Sequence, residues 1–359
     1  MPRSRFLSPD KGHSYQELKT ILPGALRAGV SVLVLGHPGV GKSALAADLA
    51  EDFGLPLIDI RLAQQEPADL AGVYFPDQDR ECLTLLPPAW VKELVARPGF
   101  LFLDEVNAAV SRLHQAVAYQ MVLERRLGPF QFHPDTVVLA AGNLAEDNAL
   151  ATPLSSALAN RFAHFRLRVD AGAWIKWAEQ GHVRPELRAF IGRHGEDALY
   201  KRAPDETIFP SPRTWEMASR LLDEVDEAHH ADVLEACVGR PAAKAFASFQ
   251  KLYKRVRPEK VLTGKQKIDF TKGRSREPSF MHAAVSAIGA WVQNEGPVTG
   301  DHLPHLVSFM RSPGLDREYA MLLLVQLKTN QFVMQKLKAL PEFRDLAGEL
   351  VGLHAGMYA

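Results

Sequence analysis

The sequence predicts an α/β fold over its first half, a parallel sheet flanked by helices, followed by an α-helical lid and a further α-helical region. Three observations lead there. Short apolar runs rich in β-formers, at residues 30–35, 57–62, 100–103 and 136–141, alternate with helix-forming segments. Strand, helix and strand in that order require a right-handed crossover, and so a parallel sheet. A glycine-rich turn joins the first strand to the helix-forming segment 44–50, and beyond Asp170 the pattern turns helical. The expected divisions are 1–170 for the α/β domain, 171–228 for the lid and 229–359 for a C-terminal helical region of unassigned role.

Composition limits the function classes. Hydrophobic residues make up 47%, and 42 basic residues balance 42 acidic ones, so no global charge draws the chain to nucleic acid or membrane. Two cysteines far apart, Cys82 and Cys237, give no metal-ligand spacing and suit a reducing compartment; burial as small apolar residues is expected for both. The first residues contain no apolar core of a signal peptide, and no run is long enough to span a bilayer, so a cytoplasmic protein without a membrane partner is expected.

Residues 14–28 read as an amphipathic helix, broken near Pro23; His13 and Tyr15 at its start either face an adenine or form a simple brace. After the first strand comes Gly36-His37-Pro38-Gly39-Val40-Gly41-Lys42-Ser43, with Ala44 opening the next helix. Two glycines with four residues between them, then Lys and Ser, form a phosphate-binding pattern when set between strand and helix. Glycines let successive backbone N–H groups turn inward around phosphate oxygens, and the helix start offers its positive dipole end. Lys42 is then expected on the β and γ phosphates and Ser43 on Mg²⁺.

Residues 63–90 break the α/β rhythm. Tyr74 and Phe75, beside Gly72, make either a binding loop or a small buried cluster. The second motif is Phe100-Leu101-Phe102-Leu103-Asp104-Glu105, a strand buried on both faces with two carboxylates at its C-terminal end, where open α/β sheets place ligands. Asp104 is expected to hold Mg²⁺ and Glu105 to polarise the attacking water. A helix follows over 107–127, its apolar stripe formed by Leu113, Val117, Met121 and Val122; the charged Glu124-Arg125-Arg126 near its end make a solvated cap or an intersubunit contact. Asn143, just past the fourth strand, is placed to hold the lytic water, or is a buried turn residue. Arg161 precedes a last strand at 163–167, and Arg213 follows the Pro-Ser-Pro that opens a later helix.

Further helices are expected at 231–238, 242–256, 280–294, 301–310 and 317–338. Between the second and third, residues 251–276 hold ten Lys or Arg against Glu259 and Asp269. This stretch reads as a solvated connector, with nucleic acid or an acidic partner as the alternative.

Together these motifs resemble the AAA+ ATPases, and among them the MoxR-like and dynein-related group that includes CbbQ and NorQ. Residues 36–43 are similar to its Walker A element, with His37 where Pro is commoner, and residues 103–109 to its Walker B element and sequel. The resemblance implies sensor 1 at Asn143, a finger acting on a neighbour's ATP at Arg161, sensor 2 at Arg213, and a pre-Walker B element at residues 66–72 that faces a ring's channel. It further implies ATP and Mg²⁺ as cofactors, a homo-oligomeric, usually hexameric ring, and a protein client remodelled with a partner bearing a von Willebrand factor A domain. The rival from another class is a nucleic-acid-stimulated motor of the translocase or helicase-loader type, suggested by the basic stretch.

Overall fold

The computed structural model describes residues 12–77, 81–108, 112–144, 154, 156–181, 183–202, 206–295 and 298–356. The chain divides into two compact units, residues 1–173 and 174–359. Nine strands occur among the described residues, all in the first unit: β1 (Val32–Gly36), β2 (Leu57–Arg61), β3 (Val73–Asp77), β4 (Cys82–Leu86), β5 (Phe100–Asp104), β6 (Arg126–Leu127), β7 (Phe130–Gln131), β8 (Val137–Asn143) and β9 (Ala163–Leu167). Five make one sheet in the order β2-β5-β8-β1-β9, every pair parallel. Burial follows position. The interior strand β5 is buried at all five residues, as a strand covered on both faces must be. The edge strand β2 alternates, with Ile58 and Ile60 turned into the core and Leu57, Asp59 and Arg61 exposed.

The N-terminal helix, Tyr15–Arg27, starts at a reciprocal cap: Ser14 Oγ accepts from Glu17 N at 3.2 Å, and Ser14 N donates to Glu17 Oε2 at 2.7 Å. Pro23 lies inside it without the expected break, since the buried stripe Leu18, Leu22 and Leu26 runs straight across that position.

In the first unit two other expectations are corrected and one open alternative is narrowed. The helix expected over 107–127 is the α-helix Arg112–Tyr119 followed by a π-helical turn, Gln120–Glu124; Arg125 then adopts φ 52° and the chain folds into the β6–β7 hairpin. Met121 and Val122 are buried as expected, so the apolar stripe outlasts the regular helix. Residues 63–90 supply a short helix, Pro67–Ala71, and the antiparallel β3–β4 hairpin; Tyr74 and Phe75 stand exposed there, not in a buried cluster. Both cysteines are free thiols, Cys237 buried and Cys82 exposed on that hairpin.

The second unit is helical. At its centre is Pro278–Ala290, buried at every residue from Phe280 on. Its small residues let neighbours approach closely: a Cβ on Gly289 would stand 2.1 Å from Gln326 Oε1. Helices Pro185–His194, Arg240–Tyr253 and Arg317–Leu327 all pack on it, so the boundary expected at residue 228 falls inside one packed unit. Trp215 anchors helix Pro212–Glu224, fully buried against Phe190 and Phe246 with Nε1 donating to Ala198 O at 2.9 Å. The helix expected over 317–338 is two, Arg317–Leu327 and Gln331–Ala339, because Asn330 breaks off and caps the second by accepting from Val333 N at 3.1 Å. Among the described residues no helix is long and apolar enough to cross a membrane.

Candidate nucleotide-binding site

The loop from Gly36 to Gly41 leaves β1 and enters the helix Lys42–Phe53. Its geometry depends on glycine at two points. Gly41 has φ 101°, which costs a residue with a side chain, and a Cβ on Gly36 would meet Leu167 O at 3.0 Å and Val40 Cγ2 at 3.2 Å. No side chain caps the helix, so its first-turn amides are available to an anion. Lys42 Nζ donates to Gly36 O at 2.9 Å, His37 O at 3.0 Å and Asn143 Oδ1 at 2.9 Å, which holds the ammonium inside the loop. His37, Pro38, Gly39 and Ser43 are half-buried, Val40 is buried, and Ala44 is exposed on the first turn.

Strand register brings the remaining groups together. Gly36 of β1 is level with Asn143 of β8, and Leu103 of β5 with Ala140 of β8, so the C-terminal ends of three adjacent strands open on one edge. There Ser43 Oγ donates to Asp104 Oδ2 at 3.1 Å, while Asp104 Oδ1 accepts from Glu105 N at 2.8 Å. Asp104 is only 8% exposed, and its charge, after burial itself, helps push the neighbouring Asp59 carboxyl above the usual range. A hydroxyl beside a buried carboxylate in a negative field suits a hard cation. No group of three or more His, Cys, Asp or Glu that could hold a metal exists among the described residues, so phosphate oxygens and water would complete the shell, which is how Mg²⁺ is usually held. Glu105 takes φ 55°, a left-handed conformation rare outside glycine, and so leaves the line of the strand.

Asn143 is clamped by a residue that sequence reasoning placed in the motif without giving it a role. Asn107 Nδ2 donates to Asn143 O at 2.7 Å, and Asn143 N donates to Asn107 Oδ1 at 3.0 Å. The adjoining glycine was the available signal, because a Cβ on Gly142 would stand 2.7 Å from Asn107 Oδ1. Residues 109–111 of the same stretch lie outside the described residues.

Arg161 ends the turn before β9, and its Nη2 donates to Tyr119 Oη at 2.6 Å with the guanidinium carbon 4.3 Å from the Tyr119 ring centroid. Tyr119 was not foreseen. Arg213 is the exposed second residue of helix Pro212–Glu224 and belongs to the second unit. Of the two readings for His13 and Tyr15, the bracing contacts are seen: Tyr15 Oη donates to Asp48 Oδ2 at 2.9 Å, Lys19 Nζ reaches the same oxygen at 3.2 Å, and His13 bridges to Leu167. The Tyr15 ring also lies 3.7 Å from where a Gly41 Cβ would be, so the brace backs the phosphate loop.

Residues 32–167 match the model of the AAA family, the ATPase family associated with various cellular activities. The chain is similar to the Holliday junction branch migration complex subunit RuvB of Synechococcus sp. (strain WH7803), 30% identical over 146 residues, which cover 38% of this chain and 33% of that protein. It is also similar to Midasin of Giardia intestinalis, 37% identical over 90 residues, 24% of this chain and 2% of that protein. The chain thus spans about a third or less of the curated relatives it matches. Two mutants of Thermotoga maritima RuvB align at 14% identity with TM-scores of 0.34 and 0.39, over 87% and 82% of this chain and 84% and 85% of theirs. Residues 32–167 are, by that family match, an AAA ATPase domain, of a family of ATP-hydrolysing enzymes that typically bind Mg²⁺ with the nucleotide.

Proposed function

We propose that this chain is one subunit of an ATP-driven ring motor that remodels a protein client. The observation that carries the reading is the meeting of loop and strand ends, with Ser43 hydrogen-bonded to Asp104 and Lys42 to Asn143. In this scheme residues 36–44 wrap the phosphates, Lys42 neutralises the β and γ oxygens, and Ser43 and Asp104 hold Mg²⁺. Glu105 polarises the attacking water, and Asn143 orients it. Arg161 reaches a neighbouring copy's γ phosphate, and Arg213 acts from the helical lid. An arginine supplied across an interface stabilises transition-state charge only in the assembled ring, so turnover reports on subunit geometry.

The MoxR-like, dynein-related resemblance supports a hexamer, a cytoplasmic setting and a partner with a von Willebrand factor A domain. The β3–β4 hairpin supports a macromolecular client, since Val73, Tyr74, Phe75 and Leu83 are 55%, 63%, 57% and 65% exposed. Glu105→Gln tests the reading: it should abolish turnover, keep ATP bound and hold the chain in a ring with its client. A Glu105→Gln protein that stays monomeric with ATP and retains no protein would sink it.

A second reading, a nucleic-acid-stimulated motor, is favoured by the charge of residues 251–276 and is in line with the name of the Synechococcus relative. It predicts faster ATP hydrolysis with DNA or RNA and a steep loss of binding with salt.

A further inference from the structure

The 251–276 stretch is folded in place and is not the loose connector its composition suggests. Val256, Val261, Leu262 and Phe270 are buried in the core of the second unit, while all ten lysines and arginines are exposed. Among the described residues Lys254 pairs with Glu227, Lys272 with Asp269 at 3.1 Å, and Arg255 lies over the Phe280 ring at 4.9 Å. The other seven, Arg257 and Lys260 among them, have no ion-pair partner among the described residues. Anchored apolar residues under uncompensated outward cations make a fixed positive face. Such a face attracts a polyanion and releases its counterions.

That face borders a cavity of about 540 Å³ in the same unit, a size typical of ligand pockets. Exposed Lys254, Arg257 and Lys260 line it together with two half-buried aromatic rings, Tyr253 and Trp291. Trp291 opens a π-helical turn and arrives from a distant part of the sequence. Two carboxylates share the cavity: Glu186, neutralised by Arg184 at 2.9 Å, and Glu259, in the first turn of helix Pro258–Leu262. Exposed cations and half-buried aromatic rings in one lining match the two parts of a single strand, the phosphate chain and the unpaired base. An acidic peptide would use the cations and leave the rings without a role.

We infer that this face and cavity bind single-stranded nucleic acid, with phosphates on Arg257 and Lys260 and a base against Tyr253 or Trp291. The site deepens the second reading, yet its binding is measured without ATP turnover, so loss of that reading through unresponsive ATPase leaves the site separately testable. The experiment is fluorescence anisotropy of the full chain with labelled dT20 and U20 at several salt concentrations. With about four phosphates neutralised, affinity should fall about 50-fold between 50 and 200 mM salt. Arg257→Glu with Lys260→Glu should weaken binding at least tenfold and flatten that dependence; both side chains are exposed, so the fold is unaffected. Because loss of Trp291 risks local unfolding, base contact is read instead by photocrosslinking 5-bromodeoxyuridine oligonucleotide to the wild-type chain and mapping the adduct. Adducts on Tyr253 or Trp291 support the site, and tighter U20 than dT20 binding marks RNA as its source. Polyglutamate binding as tight as dT20, adducts only elsewhere, or an unchanged double variant overturns it.

Discussion

The contact between Tyr119 and Arg161 allows a direct test of how Arg161, the proposed finger, is held. The guanidinium both stacks on the Tyr119 ring, 4.3 Å from its centroid, and donates to the hydroxyl at 2.6 Å. A hydrogen bond from a charged donor contributes about 1.5–3 kcal/mol, and a partly exposed cation–π contact about 1 kcal/mol. Tyr119→Phe removes the first and keeps the second. If Tyr119 sets the orientation from which Arg161 reaches the neighbouring site, loss of about 1.5 kcal/mol of positioning lowers kcat about tenfold. The KM for ATP should not move, because the phosphate loop is untouched. Arg161→Ala removes the finger and should cost about 10³-fold or more. The double variant should be no slower than Arg161→Ala alone, since a positioning residue has nothing left to position. Steady-state ATPase assays of the three variants, at protein concentrations where oligomers persist, decide the matter. Additive losses, or a Tyr119→Phe enzyme with unchanged kcat, would refute the role of Tyr119, while a fully active Arg161→Ala enzyme would remove the finger itself.

Three further outcomes follow from the structure. Asn107→Ala leaves both backbone groups of Asn143 without their side-chain partner, so kcat should fall about tenfold or more, with Asn107→Asp intermediate because it still accepts from Asn143 N; ATPase kinetics check the order. Gly41→Ala meets nothing closer than the Tyr15 ring at 3.7 Å, so its cost is the left-handed backbone, about 1–2 kcal/mol and a roughly tenfold weaker affinity for a fluorescent ATP analogue; Gly24→Ala, in open helix surface, should stabilise slightly. His282 is held near pKa 4, chiefly by burial and secondarily by Arg193 and His194, although a backbone bond to Ala189 opposes the shift. The unfolded chain takes up this proton below about pH 6.5 and the folded chain only below about 4, so stability falls as pH drops through that window. Urea unfolding should show about 2 kcal/mol lost between pH 7 and pH 5 from this group. That portion should vanish in His282→Gln, and an unchanged pH slope in the variant would count against the burial argument.

What was legible in the chain was what its local order decides. The phosphate loop is a contiguous run whose conformation is set by its own glycines, and Asp104 is placed by the apolar strand that precedes it. The partners that hold the site were not legible, since they depend on register between distant segments. Asn107 and Asn143 are 36 residues apart, and Tyr119 and Arg161 are 42 apart. Similarly, the apolar spacing through Val117, Met121 and Val122 reads as a continuing helix because a π turn keeps those side chains inward for several more residues. The signal for the following hairpin is Gly128-Pro129, with Gly128 at φ 53° and its N–H bonded to Gln120 Oε1 at 3.2 Å.

These same long-range contacts connect the exposed β3–β4 hairpin, the proposed client surface, with Arg161, the proposed finger. Leu85 of β4 lies against Gly128, close enough that a Cβ there would sit 3.3 Å from Leu85 Cδ2. Gly128 is tied to Gln120 at the start of the π turn, and Gln120 follows Tyr119, which carries Arg161. The π turn, an irregularity of a kind frequent at functional sites, lies between the hairpin contact and Tyr119. Displacement of the exposed β3–β4 hairpin by a bound macromolecule would reach the guanidinium through four links: the Leu85–Gly128 contact, the Gly128–Gln120 hydrogen bond, the Gln120–Tyr119 peptide bond and the Tyr119–Arg161 contact. Gly128→Ala severs the series at its middle, where φ 53° and the Leu85 contact both resist a side chain. The expected result is a basal ATPase rate close to wild type that no longer responds to client, and a response that survives would show that the signal takes another route.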